Sequence, residues 1–155
     1  LKPVTANAAE ASVSASIEEE NSYISFQDEA YQNEFLRRVN NERAKAGLKP
    51  VQLGDSNHNS AAQQRAEEIA TVNSHVRPNG TKWYTVLSEY GVTDAAAGEN
   101  AAWGSVSPEE VVNAWMNSEG HRANILDPEA RAMGVGYYYN SSSTWGHQWI
   151  QLFTK

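Results

Sequence analysis

The chain has 155 residues, no cysteine and a formal charge of −7. That length fits one domain able to bury a sizeable core, and the missing cysteines exclude a disulfide scaffold and a thiol nucleophile. No apolar run approaches the roughly 20 residues of a membrane helix, and no basic stripe invites nucleic acid. The charge is unevenly placed: residues 1–29 set Lys2 against Glu10, Glu18, Glu19, Glu20, Asp28 and Glu29, so −5 of the −7 lies there. Five tryptophans and seven tyrosines in a chain that is 40% hydrophobic point to an aromatic-rich interior or groove.

Residues 1–25 read as a flexible acidic Ala/Ser-rich arm or linker, and residues 26–155 as the folded domain. Ala6-Asn7-Ala8 has the form of a signal-cleavage site, without the apolar stretch such a signal needs. A helix is predicted from about Phe26, where Ser25 and Asp28 have capping-box spacing. Tyr31, Phe35 and Val39 repeat on one face of it. Gly47 ends it, and Lys49-Pro50-Val51 runs extended because Pro50 disfavours helix at Lys49.

A second helix is predicted from Asp55 or Ser56 to about Thr71, with Ala62, Ala66, Ile69 and Ala70 on its buried stripe. His58 falls on that stripe and reads as a packing histidine. Pro78-Asn79-Gly80 marks a turn-rich loop, and Trp83 to Tyr90 a short helix stopped by Gly91. Ser107-Pro108-Glu109-Glu110 is a strong helix start; Val112, Trp115, Met116 and Glu119 would share one face of that helix. From Arg131 the pattern turns to strand, with Met133 to Tyr139 and Thr144 to Thr154 joined through Asn140-Ser141-Ser142-Ser143. Helices first and a hairpin last suggest an α+β domain.

Between those regions lies Gly98-Glu99-Asn100-Ala101-Ala102-Trp103. Gly98 permits unusual backbone angles, Asn100 can satisfy local backbone groups, and Trp103 supplies a large anchor. They would hold Glu99 at a cleft wall; the plain alternative is a turn with an exposed acid.

Asn40-Asn41-Glu42-Arg43, His75-Val76-Arg77-Pro78-Asn79-Gly80, Gly98-Glu99-Asn100, Trp115-Met116, Gly120-His121-Arg122, Gly134-Val135-Gly136-Tyr137 and Trp149-Ile150-Gln151-Leu152-Phe153, in that order, resemble the CAP superfamily. This is the family of cysteine-rich secretory, antigen 5 and pathogenesis-related 1 proteins; the likeness is to its bacterial SCP-like branch and runs from about Phe35 to Lys155. It implies a three-layer α-β-α sandwich around a central antiparallel sheet, and a secreted or cell-surface location. It also implies a cleft faced by two histidines and two acids, which in some members bind a divalent metal.

On that resemblance His75 is the first cleft histidine and Glu99 the acid of the Gly-Glu-Asn motif. His121 stands where bacterial members place a histidine, and Glu119 is the second acid, with Ser118 aligning still nearer to the position eukaryotic members use. His147 lies one residue from the strand position of their second histidine, and a one-residue slip turns a strand side chain to the other face. Each residue also has a plain reading: His75 at a helix end, His121 bonding its own loop, Glu119 paired with Arg122, His147 on a strand face. Arg77 and Arg122 read as anchors for nearby backbone or carboxylates.

Three functional classes emerge. One is a binding module whose cleft of His75, Glu99, His121 and Glu119 takes a divalent metal, peptide, glycan or lipid, with His75 and His121 as ligands of Zn2+. A second is a metal-assisted or Glu/His-dependent hydrolase with Glu99 and His75 as catalytic candidates. No Gly-x-Ser-x-Gly elbow or His-Glu-x-x-His helix supports the second. A surface-adhesion piece displayed by the acidic arm is a third.

Overall fold

The computed structural model describes residues 30–155. The acidic arm, the helix start near Phe26 and its Ser25–Asp28 capping box lie outside the described residues. The architecture is that of the unit Gln32–Lys155.

Helix α1 is helical from residue 30 to residue 45, and Tyr31, Phe35 and Val39 are all buried, as their spacing predicts. Gly47 stops it at φ +75°, a left-handed angle that costs glycine little. The Asn40-Asn41-Glu42-Arg43 motif anchors the chain beyond the helix. Asn40 exchanges two hydrogen bonds with the Val51 backbone, at 2.8 and 2.9 Å. Arg43, fully buried, donates to the carbonyls of Lys49, Ile125 and Asp127. The motif is thus a staple between distant loops.

The remaining elements are β1 (Gln52–Leu53), α2 (Ser56–Ile69), α3 (Thr85–Glu89), β2 (Ala96–Trp103), α4 (Pro108–Met116), α5 (Glu119–Ile125), β3 (Ala132–Tyr139) and β4 (His147–Thr154). The sheet order is β1-β3-β4-β2. Its main body, β3-β4-β2, is antiparallel; the two-residue β1 joins β3 in parallel and makes the sheet mixed.

Two helical layers enclose it. On one face Ala61, Ala62, Ala66 and Ile69 of α2 pack with Ala101, Ile150 and Leu152. Contact there is so close that a Cβ at Gly136 would strike the Ala62 carbonyl, and one at Gly134 the His58 ring. His58 is buried, its Nε2 donates to the Leu152 carbonyl at 2.9 Å, and burial lowers its pKa. It is the packing histidine its position on the stripe suggests. On the other face Phe35 of α1 meets Trp149 and Trp115, at ring-centroid distances of 5.5 and 5.8 Å.

Two expectations from the sequence are corrected here. Gly98-Glu99-Asn100 belongs to a strand, not a turn, and Gly98 has no left-handed angle. A Cβ there would collide with Asn124, so this glycine supplies space. The helix bearing Trp115 does not run on through Glu119. It ends at Met116, Ser118 is extended at φ −119° and ψ 123°, and α5 restarts at Glu119.

Candidate functional site

Strand β2 is an edge strand whose side chains alternate between the two helical layers. Glu99 pairs with Leu152 and shares the α2 face; Asn100 pairs with Gln151 and points the other way. The site is assembled on these two adjacent residues.

On the α2 face the Glu99 side chain is fully buried against the fully buried Arg65. Arg65 Nε donates to Oε2 at 2.7 Å and Nη2 to Oε1 at 2.9 Å, a two-point pairing of guanidinium and carboxylate. Arg65 also donates to Glu68 at 2.8 Å and to the Ser74 carbonyl at 2.9 Å. Burial works against the Arg65 charge, but Glu99 and Glu68 outweigh it and the pKa rises. Glu68 in turn accepts from Arg77, which reaches Glu89 at 2.6 Å. Burial would raise the Glu68 carboxyl, yet Arg77 and Arg65 hold it at about 2. Glu99, Arg65, Glu68, Arg77 and Glu89 thus alternate in sign from the sheet to the surface.

His75 completes this side. Its Nδ1 lies 2.7 Å from Glu99 Oε1. A carboxylate only accepts, so Nδ1 carries the proton and Nε2 is left for other chemistry. The hydrogen bond to Glu99 raises the His75 pKa against the opposing effects of burial and Arg65. The His75 side chain is 59% exposed while Glu99 beneath it is not exposed at all.

On the opposite face Asn100 Nδ2 donates to the His121 carbonyl and to Gln151 Oε1, both at 3.1 Å. Asn124 donates to Asn100 Oδ1 at 2.8 Å and to the Glu99 carbonyl at 3.3 Å. Trp115 Nε1 covers the Ala101 carbonyl at 3.0 Å. Two outward carbonyls of the edge strand are therefore satisfied by α4 and α5, which blunts the edge and ties α5, with His121, to β2. His121 is half-buried, its Nδ1 lies 2.8 Å from Ser118 Oγ, and its pKa falls through burial and then through the charge of His75.

The sequence model of the cysteine-rich secretory protein family, CAP, matches residues 36–153. The chain belongs to the CAP family. It is 41% identical over 123 residues to the uncharacterized protein YkwD of Bacillus subtilis, covering 78% of this chain and 47% of that protein. The CAP chain thus spans about half the length of that curated relative. Its fold resembles that of an extracellular SCP-domain protein from Bacillus anthracis, with a TM-score of 0.71 at 24% identity over 83% of this chain and 41% of that one. It also resembles an outer surface protein of Borrelia burgdorferi, with a TM-score of 0.66 at 20% identity over 82% and 90% of the two chains.

Of the CAP cleft residues expected from sequence, the structure brings His75 and Glu99 into contact and places His121 where it senses the His75 charge. Glu119 opens α5, exposed, and among the described residues forms no ion pair with Arg122 or any other cation. Ser118 bonds His121 instead of capping α5. His147 pairs with Tyr139 on the face opposite Glu99 and bonds the Tyr137 hydroxyl at 2.7 Å. Ser74 Oγ accepts from the Val76 N–H, and among the described residues it makes no hydrogen bond with the His75 ring.

Arg65 escaped the sequence reading. Its position three residues before Glu68 on a helix with a small-residue stripe was the available signal, because a buried arginine needs carboxylates. Arg65 also decides the fit to zinc. Both Glu99 oxygens are engaged by Arg65, and one also by His75. Among the described residues no group of three or more His, Asp or Glu side chains is placed to hold a metal. With both oxygens so engaged, Glu99 as it stands does not fit the role of a zinc ligand.

Proposed function

We propose that this CAP domain is an extracellular binding module that engages its ligand through His75, with His121 beside it. The observation that carries the reading is a buried Arg65–Glu99 pair supporting an imidazole that is 59% exposed. Two desolvated charges are costly to build in, and here they fix one surface group in one tautomer. Charged, the ring donates to a carboxylate or phosphate; neutral, Nε2 accepts from a hydroxyl or amide. Peptides, glycans and lipid headgroups all present such groups. A divalent ion belongs in this reading as a weakly held ligand of two imidazoles, not as a resident cofactor. The extracellular setting is supported by the extracellular SCP-domain protein whose structure the fold resembles.

A second reading, a hydrolase, is favoured by the same His75–Glu99 hydrogen bond, since a carboxylate that orients an imidazole equips it as a general base. In this arrangement Glu99 orients and His75 Nε2 would take the proton from water. Zinc titration monitored at the histidine ring C–H signals tests the binding reading. The expected outcome is shifts confined to His75 and His121, lost in His75→Ala and retained in His147→Ala. Shifts that survive His75→Ala would remove His75 from the ion-binding role. Hydrolysis of a peptide or ester library that disappears in His75→Ala would favour the second reading.

A further inference from the structure

A second ligand surface lies at the hairpin end of the sheet and does not depend on the His75 cleft. From Ala132 to Thr154 the chain contains no Asp, Glu, Lys or Arg. Within that span an aromatic ladder climbs from core to solvent. At its foot Phe35 of α1 is fully buried and meets Trp149 at 5.5 Å; Trp149 meets Tyr137 at a tilt, 4.3 Å between ring centroids; Tyr137 lies over His147 at 5.9 Å; and His147 meets Tyr139 at 4.9 Å, where Tyr139 is 54% exposed. Trp145, 58% exposed, rests beside Gly104, and Val106 in the adjoining loop is 64% exposed. Three of the five exposed large hydrophobic residues among those described are therefore at this end.

The polar atoms here have a consistent pattern. Among the described residues the Trp145 indole N–H and the Tyr139 hydroxyl make no hydrogen bond, and His147 uses only Nδ1, leaving Nε2 open. The turn between the strands, Asn140-Ser141-Ser142-Ser143, adds hydroxyls and amides without charge. Such a surface exposes aromatic faces backed by a packed core, so little ordering entropy opposes binding. A patch of this kind on a folded domain marks an interaction site.

We propose that this platform binds a neutral glycan chain, with pyranose rings stacked on Trp145 and Tyr139 and their hydroxyls bonded by His147 Nε2 and the serine-rich turn. Charge complementarity selects this occupant. An anionic headgroup or acidic peptide finds no cation between Ala132 and Thr154, and the charges that follow Val106 are the acidic Glu109 and Glu110. A sugar ring has apolar C–H faces and a polar rim, which match aromatic faces edged by N–H and O–H groups.

Tryptophan fluorescence titrations with an N-acetylglucosamine hexamer and with cellohexaose, run on the full chain, test this. The wild type should show saturable quenching with at least one hexasaccharide. Trp145→Ala and Tyr139→Ala should each weaken affinity roughly threefold to tenfold, the scale of one aromatic contact, as read by calorimetry so that the lost fluorophore does not bias the result. Tyr84→Ala, at an exposed aromatic away from this end of the sheet, should bind like wild type. Both substituted side chains are exposed, and circular dichroism will verify that the variants fold. No binding of either sugar, or binding unchanged in the Trp145→Ala/Tyr139→Ala double variant, would overturn the proposal. So would Trp145-dependent binding to phosphatidylcholine vesicles without binding to the sugars, which would make the patch a membrane contact.

Discussion

The two faces of β2 differ by one residue in sequence and by kind in physics. Glu99 enters an ionic layer with Arg65 and Glu68, whereas Asn100 enters a neutral amide layer with Gln151, Asn124 and the His121 carbonyl. Both are buried and satisfied, and no buried side-chain polar atom among the described residues lacks a partner. They fail differently. An amide that loses its partner leaves an unmade hydrogen bond; a buried ion that loses its partner leaves a charge in low dielectric, which costs far more. The ionic face therefore governs stability and the orientation of His75, and the amide face the attachment of α5.

The largest expected effect comes from breaking the ionic face. Arg65→Met leaves Glu99 and Glu68 without their shared cation and should cost about 3–5 kcal/mol in urea unfolding. Pairing it with Glu99→Leu should recover part of the loss, because no lone charge then remains from that pair. A double variant as unstable as the sum of the two singles would deny the coupling. On the amide face Asn100→Ala should cost less, roughly 1–3 kcal/mol, and should shift the His121 signals more than those of His75. Equal losses on both faces would erase the distinction.

How much of this was legible in the chain differs by element. The α1 stripe, the Asp55 and Ser107 caps and the hairpin strands all follow local periodicity or turn chemistry, and the structure has them. The resemblance to the CAP family gave the three layers and the meeting of His75 with Glu99. Two things were missed because they are non-local. Ala96–Trp103 carries a weak strand signal, its small residues reflecting space for α2 and Asn124 and not β-propensity. Arg65 is ambiguous in sequence, since an arginine on a helix reads as exposed until a carboxylate 34 residues away arrives opposite it. In sequence Glu99 reads as a cleft-wall acid; its pairing with Arg65 makes it a support of the fold as well as of His75.

The pH dependence gives a smaller, sharper test. Glu68, held at about 2 against an unfolded value of 4.5, contributes stability above pH 4.5 that is lost as pH falls towards 2. His75, raised above 6.5, contributes stability below pH 6.5 that is lost as pH rises through its folded value. His58 and His121 are lowered and oppose it, losing their contribution as pH falls below 6.5. His75→Ala removes the counterweight, so its stability should fall more steeply than that of wild type between about pH 7.5 and 5.5. Parallel profiles would mean that the His75–Glu99 bond contributes nothing to folding.

The central claim is that the buried Arg65–Glu99 pair sets the state of His75, and ring 15N spectroscopy of His75 across a pH titration reads that state directly. The account predicts a pKa above 6.5 and, once neutral, a ring that keeps its proton on Nδ1 and leaves Nε2 bare. A pKa at or below 6.5, or a neutral ring protonated on Nε2, would contradict it.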